Sequence, residues 1–228
     1  MIKRLLKKYD VEHLHYMTPM ENVPLILALG IQSYNNLNNK KHPLHHRSIA
    51  FWSVQQLRTS VIPGTNKTAH DYVPLYFATH TPMQYVCTKG TRWRNRTLDQ
   101  NDLLFIEVNA VKVFQVPVVI FTDGNAAASE TKFYTEPDGL DKLDWKVINT
   151  QNCYSKEYKH KKAAEVLVPD SVPVKLFKRI VVFSKKASVN LDKEVKAWLK
   201  KGLSKNNLPY LSQYRSKVKV DPSHYYLE

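Results

Sequence analysis

The chain has 228 residues, with 34 Lys and Arg against 20 Asp and Glu, a formal charge of +14. Hydrophobic residues at 43% and aromatics at 11% supply a real core and exclude disorder throughout, while a mean hydropathy of −0.43 and apolar runs no longer than those at 116–121 and 180–183 exclude a spanning helix. The charge favours a salt-dependent encounter with polyanions, nucleic acid foremost, without specifying fold or chemistry.

The N-terminal stretch MIKRLLKKYDVEH is basic, but it has no apolar h-region and no small-residue cleavage site, so export by a signal peptide is not expected. Residues 14–18 read as a short strand. Residues 19–29 follow with helical spacing, Met20, Val23, Ile26, Leu27 and Leu29 being apolar and Gly30 standing at the stop position. From 32 to 47 the composition is rich in Asn, Lys and His, which predicts a mobile surface loop; His42, His45 and His46 cluster there with no cysteine or carboxylate beside them to complete a metal site. Residues 49–58 form a helix or turn, and an irregular stretch surrounds Ile62, Pro63, Gly64 and Asn66. Strands are predicted at 73–77, 103–108 and 116–122, the last ended by Asp123-Gly124-Asn125, with a helix beginning at Pro82 and a short one over 125–129. Residues 142–148 are ambiguous, 156–162 are a charged helix, and 163–168 form a strand cut off by Pro169, with another at 180–183. After Ser184 an amphipathic helix spans 190–203, with Leu191, Val195, Trp198, Leu199 and Leu203 on one face, and 205–228 reads as a loosely packed tail that orders on contact. Two distant cysteines, Cys87 and Cys153, read as reduced thiols of a cytosolic protein.

Several reaction centres are missing by residue type and spacing. The chain has no phosphate-binding G-x-x-x-x-G-K-[ST], no G-x-G-x-x-G, no G-x-S-x-G and no H-E-x-x-H, and only six glycines. In KGTRWRNR, Trp93 stands between Arg92 and Arg94, where a ring could stack on a base while the arginines hold phosphates; an exposed basic loop with a packing Trp accounts for the same residues. Glu165 opens an otherwise apolar strand. Local pattern leaves two readings: an edge-strand glutamate paired with one of the lysines at 159, 161 and 162, or a functional carboxylate.

Five blocks in fixed order carry a resemblance: YMTPMENVPLIL and the following GI (16–31), HDYVPLYFATHTPMQY (70–85), TDGNAAASETKFY (122–134), LDW (143–145) and KAAEVLVPDSVP (162–173). Together they resemble the DarT toxins, bacterial enzymes that transfer ADP-ribose from NAD to a base in DNA. The resemblance implies an α+β fold of the ADP-ribosyltransferase kind, a split, mostly antiparallel β core with surrounding helices over 1–184, followed by a basic C-terminal helix and tail over 185–228. It gives Glu165 the electrostatic role of loosening the glycosidic bond of NAD. Arg58 matches the family's second group, which holds the NAD phosphates and assists at the base, although the usual adjacent arginine pair is missing and Arg47 is the fallback. Tyr16-Met17-Thr18 stands where the family has His-x-Thr, so Tyr16 and Thr18, with Asn22, are the implied NAD-binding residues. His80 and Met83 join Arg92, Trp93 and Arg94 as candidate nucleic-acid contacts. The implied substrate is NAD, with no metal. The implied partners are single-stranded DNA, modified at thymine or guanine, and an antitoxin that reverses or blocks the modification, with no membrane. Two competing readings are a non-catalytic single-strand-binding module and an ADP-ribosyltransferase acting on RNA or protein.

Overall fold

Period-two alternation in the strands sorts two kinds of side chain onto opposite faces of one sheet. In the computed structural model, which describes residues 1–39, 46–89, 98–151, 155–200 and 213–227, eight strands run in the order β10–β9–β4–β1–β3–β7–β5–β6. They are β1 (His13–Pro19), β3 (Tyr72–Tyr76), β4 (Leu103–Asn109), β5 (Ile120–Thr122), β6 (Phe133–Tyr134), β7 (Glu165–Pro169), β9 (Phe177–Val182) and β10 (Val218–Val220). All pair antiparallel except β10 on β9. A separate two-stranded ladder joins β2 (Ile31–Gln32) to β8 (Ser171–Val172).

One sheet face is mostly apolar. Leu14, Val73, Leu75, Ile106, Val108, Val166, Val168, Ile180 and Val182 meet Leu6 of α1 (Ile2–Lys8), Ile26 and Leu27 of α2 (Val23–Leu29), and Leu191 and Val195 of α9 (Lys185–Lys200). The opposite face carries two smaller apolar clusters, Met17–Leu103–Phe105–Val181–Tyr225 and Ile62–Ala69–Tyr72–Ile120–Leu167. Between them the sheet is split. Strands β1 and β4 are laddered from His13 opposite Asn109 to Pro19 opposite Leu103, whereas β1 and β3 share one register pair, His15 opposite Tyr76. The backbone therefore opens on both sides of that pair.

Several elements depart from expectation for identifiable reasons. The basic N-terminus is helical because Leu6 buries against the core. Part of the expected mobile loop is ordered as α3 (Tyr34–Asn39), whose Tyr34 stacks on His70 with centroids 4.2 Å apart, and the Ser33 amide donates to the Asp170 carbonyl at 2.8 Å. The predicted strand at 116–122 shrinks to β5, because Val118 sits at φ 61° in a turn. Residues 125–129 make turns rather than a helix, with the Ala128 amide donating to the Asn125 carbonyl. Gly30 does end α2, at φ 78°, with the Val172 carbonyl 2.5 Å from where a Cβ would stand. Helix α9 starts earlier than expected, at Lys185, its entry capped where Ser184 Oγ accepts from the Ala187 amide.

The C-terminal expectation needs the largest correction. Over 213–227 the chain is not loosely packed: β10 extends the sheet, and the Tyr225 hydroxyl donates to the carbonyls of Leu103 (3.2 Å) and Val181 (3.0 Å). Aromatic area and a satisfiable hydroxyl make this a core residue. Leu203 and the other residues from 201 to 212, like His42, His45, Cys153 and Tyr154, lie outside the described residues. Among the described residues no helix is long and apolar enough to cross a membrane. Cys87 is a buried free thiol, its pKa pushed up to about 11 by burial. Because Tyr225 is 1% exposed, Tyr225→Ala is expected to destabilise the protein by about 3–5 kcal/mol in urea titrations, where a loose tail would change stability by under about 0.5 kcal/mol.

Candidate active site

On one side of the His15–Tyr76 pair the split widens into a cleft of about 630 Å³, within the range of small-molecule sites. Tyr16 and Thr18 line it from β1, Tyr72, Pro74 and Tyr76 from β3, and Arg47, Phe51, Val54, Gln55 and Arg58 from the segment carrying α4 (Trp52–Leu57). Met83 lines it from α5 (Pro82–Thr88), a helix capped by the Thr81 hydroxyl.

At its edge sits an ion pair. Glu165 is the first residue of β7, directly across the ladder from Tyr76, and is 1% exposed. Strand β7 lies between β3 and β5, so the edge-strand reading is overturned, and the partner is Arg58, not a lysine. Arg58 Nη1 and Nη2 donate to Glu165 Oε1 and Oε2 at 3.3 and 3.1 Å, a two-point fork on the carboxylate. The Ala126 amide donates to Oε1 at 3.1 Å. Thr122 Oγ1 accepts from the Glu165 amide at 3.0 Å and donates to the Gly124 carbonyl at 2.7 Å, which ties the Asp123-Gly124-Asn125 turn to the glutamate. Glu165 is not itself a lining residue. It stands just behind Arg58, Tyr76, Asn125 and Ala163, which are. Burial works against the charge of Arg58, and the Glu165 carboxylate overrides it, so the guanidinium pKa is held above its ordinary value.

The remaining predicted residues divide. Thr18 lines the cleft and accepts from Asn22 Nδ2 at 3.0 Å. Asn22 is fully buried and does not face the cleft. Its amide also donates to the Arg47 carbonyl, and its Oδ1 accepts from the Arg47 amide, both at 2.9 Å, which clamps the Arg47 backbone beside Thr18. Arg47 lines the cleft and pairs with Glu21 at 2.8 Å, so it is Arg58, not Arg47, that meets Glu165. Burial pushes the Tyr16 phenol up to about 12. His80 is on the other side of the split, its Nε2 against the Tyr225 carbonyl at 3.2 Å. Arg92, Trp93 and Arg94 lie outside the described residues.

Among the lining groups that the sequence reading did not single out are Tyr76 and His70. The β3–β7 ladder sets Tyr76 beside Glu165, and burial raises its phenol far above the ordinary range. His70 joins the cleft wall by bonding Gln55 Oε1 at 2.7 Å and stacking on Tyr34. The signal for Tyr76 was its even spacing with Tyr72 and Pro74; nothing local singled out His70.

A split, mostly antiparallel sheet with a buried glutamate–arginine pair beside a cleft agrees with the ADP-ribosyltransferase fold that the sequence resemblance implies. The family model described as "ssDNA thymidine ADP-ribosyltransferase, DarT" matches residues 15–226, and the chain belongs to that family. A Thermus aquaticus protein described as a DNA ADP-ribosyl transferase is 31% identical over 176 residues, 75% of each chain. A Thermosipho africanus fusion of a DNA ADP-ribosyl transferase with a DNA ADP-ribosyl glycohydrolase is 28% identical over 208 residues, 87% of this chain and 47% of the fusion. The solved Thermus sp. 2.9 DarT in complex with ADP-ribosylated ssDNA matches with a TM-score of 0.76 at 25% identity, over 95% of this chain and 97% of that one. The same protein in complex with NAD+ matches at 0.73 and 24%, over 95% and 98%.

Removing one member of a buried ion pair strands the other. Arg58→Ala is therefore expected to destabilise the fold by about 3–5 kcal/mol, and adding Glu165→Gln to recover most of that loss, as read by chemical denaturation of the single and double variants.

Proposed function

We propose that this chain transfers ADP-ribose from NAD to thymine in single-stranded DNA, with Glu165 and Arg58 as the residues that act on NAD. The observation carrying this reading is the forked Glu165–Arg58 pair held at the edge of the cleft. The glycosidic bond between nicotinamide and ribose breaks, nicotinamide leaves with the bonding pair, and the ribose carbon becomes oxocarbenium-like. A fixed, desolvated carboxylate stabilises that positive charge as it grows, with no reorganisation at the moment of reaction. Thymine carries one ring N–H, at N3, its N1 being committed to deoxyribose. As the new bond to N3 forms, that proton passes to solvent water. In a duplex N3 is occupied by pairing, which is why the strand must be single or the base turned out.

Arg58 spends two of its donors on Glu165, and the others serve a phosphate oxygen of the dinucleotide. Its raised pKa suits a permanent cation and not a proton acceptor. Tyr16 and Tyr76 remain neutral phenols that pack against the nicotinamide end, and Thr18 offers its hydroxyl. Asn22 acts as a positioning residue, through Thr18 and the Arg47 backbone. On the DNA side Met83 lies at the cleft, and Arg92, Trp93 and Arg94 are the proposed backbone and stacking contacts. His80, facing away from the cleft, is carried no further in that role. The relative fused to a glycohydrolase supports an antitoxin partner that removes the mark, and hence a toxin–antitoxin or phage-defence role in the cytoplasm.

Purified protein incubated with labelled NAD and a mixture of thymine-only, guanine-only, RNA and protein acceptors is expected to label the thymine oligonucleotide, with intact mass showing one ADP-ribosyl group. Glu165→Gln, which keeps an oxygen for the Arg58 fork, is expected to lower the rate by about 10³-fold while leaving oligonucleotide binding in place. Equal labelling by that variant, or tight salt-sensitive binding without release of nicotinamide, would overturn the reading.

A further inference from the structure

The split has a second opening, on the other side of the His15–Tyr76 pair. It is a smaller cleft of about 370 Å³, walled by His13, His15, His80, Glu107, Arg179 and His224 among others. None of these residues has a part in the transfer just described. Three of their ligand atoms converge: His15 Nδ1 from β1, Glu107 Oε1 from β4 and His224 Nε2 from the C-terminal segment all lie within 4.8 Å of one another.

We propose that these three residues hold a divalent transition-metal ion, with Zn²⁺ the best fit, and that the ion fastens the C-terminal segment to the sheet. Four observations converge on it. His15 Nδ1 is buried with no hydrogen-bond partner, and its nearest carboxylate oxygen, Glu107 Oε1, is 3.9 Å away, too far for a hydrogen bond. A buried nitrogen of this kind requires an explanation. The separations bracket those of ligands sharing one ion: zinc bonds of about 2.0–2.1 Å place tetrahedral neighbours about 3.3 Å apart, against 2.8 Å for His224 Nε2 to Glu107 Oε1, 3.9 Å for His15 Nδ1 to Glu107 Oε1 and no more than 4.8 Å between the two imidazoles, so a small rotation of the rings brings all three onto one ion. Two histidines and a carboxylate are a zinc donor set, and the cleft leaves room for a water as fourth ligand. The ligands also have outer partners. Arg179 Nε donates to Glu107 Oε2, leaving Oε1 for the ion, and Asp221 Oδ2 stands 3.4 Å from His224 Nδ1. That is the carboxylate–histidine arrangement that orients metal-bound imidazoles.

Binding requires one tautomer change. In the metal-free arrangement the His224 Nε2–H points at Glu107; with the ion in place the proton sits on Nδ1, facing Asp221, and the Nε2 lone pair is free to coordinate. The neighbouring charges do not forbid a cation. Arg179 is spent on Glu107, Lys162 Nζ donates to the carbonyls of Ile148 and Thr150, and Glu12 and Asp221 add negative charge.

The test uses the full untagged chain, stripped with a chelator and titrated with Zn²⁺ against a chromophoric competitor. The expected result is one equivalent bound with a dissociation constant below about 1 µM, together with higher melting in Zn²⁺ than in EDTA. Co²⁺ is expected to give the intense visible bands of a tetrahedral site. His15→Ala, which leaves the Glu107–Arg179 and Glu107–His224 contacts intact, is expected to weaken binding by more than about 100-fold. The triple variant His42→Ala/His45→Ala/His46→Ala is expected to retain it. Absence of a tight equivalent in the wild-type chain overturns the proposal without any variant. So does unchanged affinity in a His15→Ala protein that circular dichroism shows to be folded, or loss of the equivalent in the loop variant.

Discussion

Strands β1 and β3 could ladder along their whole length, yet among the described residues they meet at His15 and Tyr76 and diverge on either side. The two clefts lie on either side of that one contact. Continuous pairing would bring Thr18 against Val73 and close the sheet; with the pairing confined to one point, the unladdered backbone bounds two clefts instead of a seam. The apolar face beneath does not open, because α1, α2 and α9 hold both halves of the sheet on one shared core. A rigid floor under a divided roof lets side chains from neighbouring strands face a ligand without the fold losing its hydrophobic cohesion.

The buried carboxylate is the second constraint. A charge at the position of Glu165 would be prohibitive without compensation, and the molecule supplies it through a guanidinium fork, a backbone amide and a threonine clamp on the strand itself. Such a pair adds little net stability over an apolar substitute of the same shape. Its value is geometric: the carboxylate is locked in one orientation, and the arginine that locks it also lines the cleft.

Much of this was legible in the sequence. Alternation in 73–77, the apolar run at 103–108, the Gly30 stop, the Asp123-Gly124-Asn125 turn and the lone acid in an apolar strand are local signals, and the structure reproduces the strands, the stop and the turn. The block motifs marked Glu165, and the resemblance added Arg58, but only the structure brings the two together. What the sequence hid was what only tertiary contact creates. The helix at Tyr34–Asn39 depends on a stack against His70, and the aromatic tail is ordered by carbonyls of β4 and β9 that lie far away in the chain. Val118 broke a promising apolar run by a backbone conformation that its β-branched side chain gives no reason to expect. The histidines of the smaller cleft are scattered between positions 13 and 224, so no spacing rule could have gathered them.

The placement of β10 also governs how copies of this chain behave toward one another. Without it, β9 would be the outermost strand on that side, presenting a mostly buried apolar sequence and an unfilled row of backbone donors and acceptors. β10 fills that row with three residues, and the new border is short, carries Lys219 and runs into Pro222 two residues later. Brief, cationic and proline-terminated borders are poor templates for further strand addition. Among the described residues, the outer border of the sheet on that side is therefore one that offers little to a further strand.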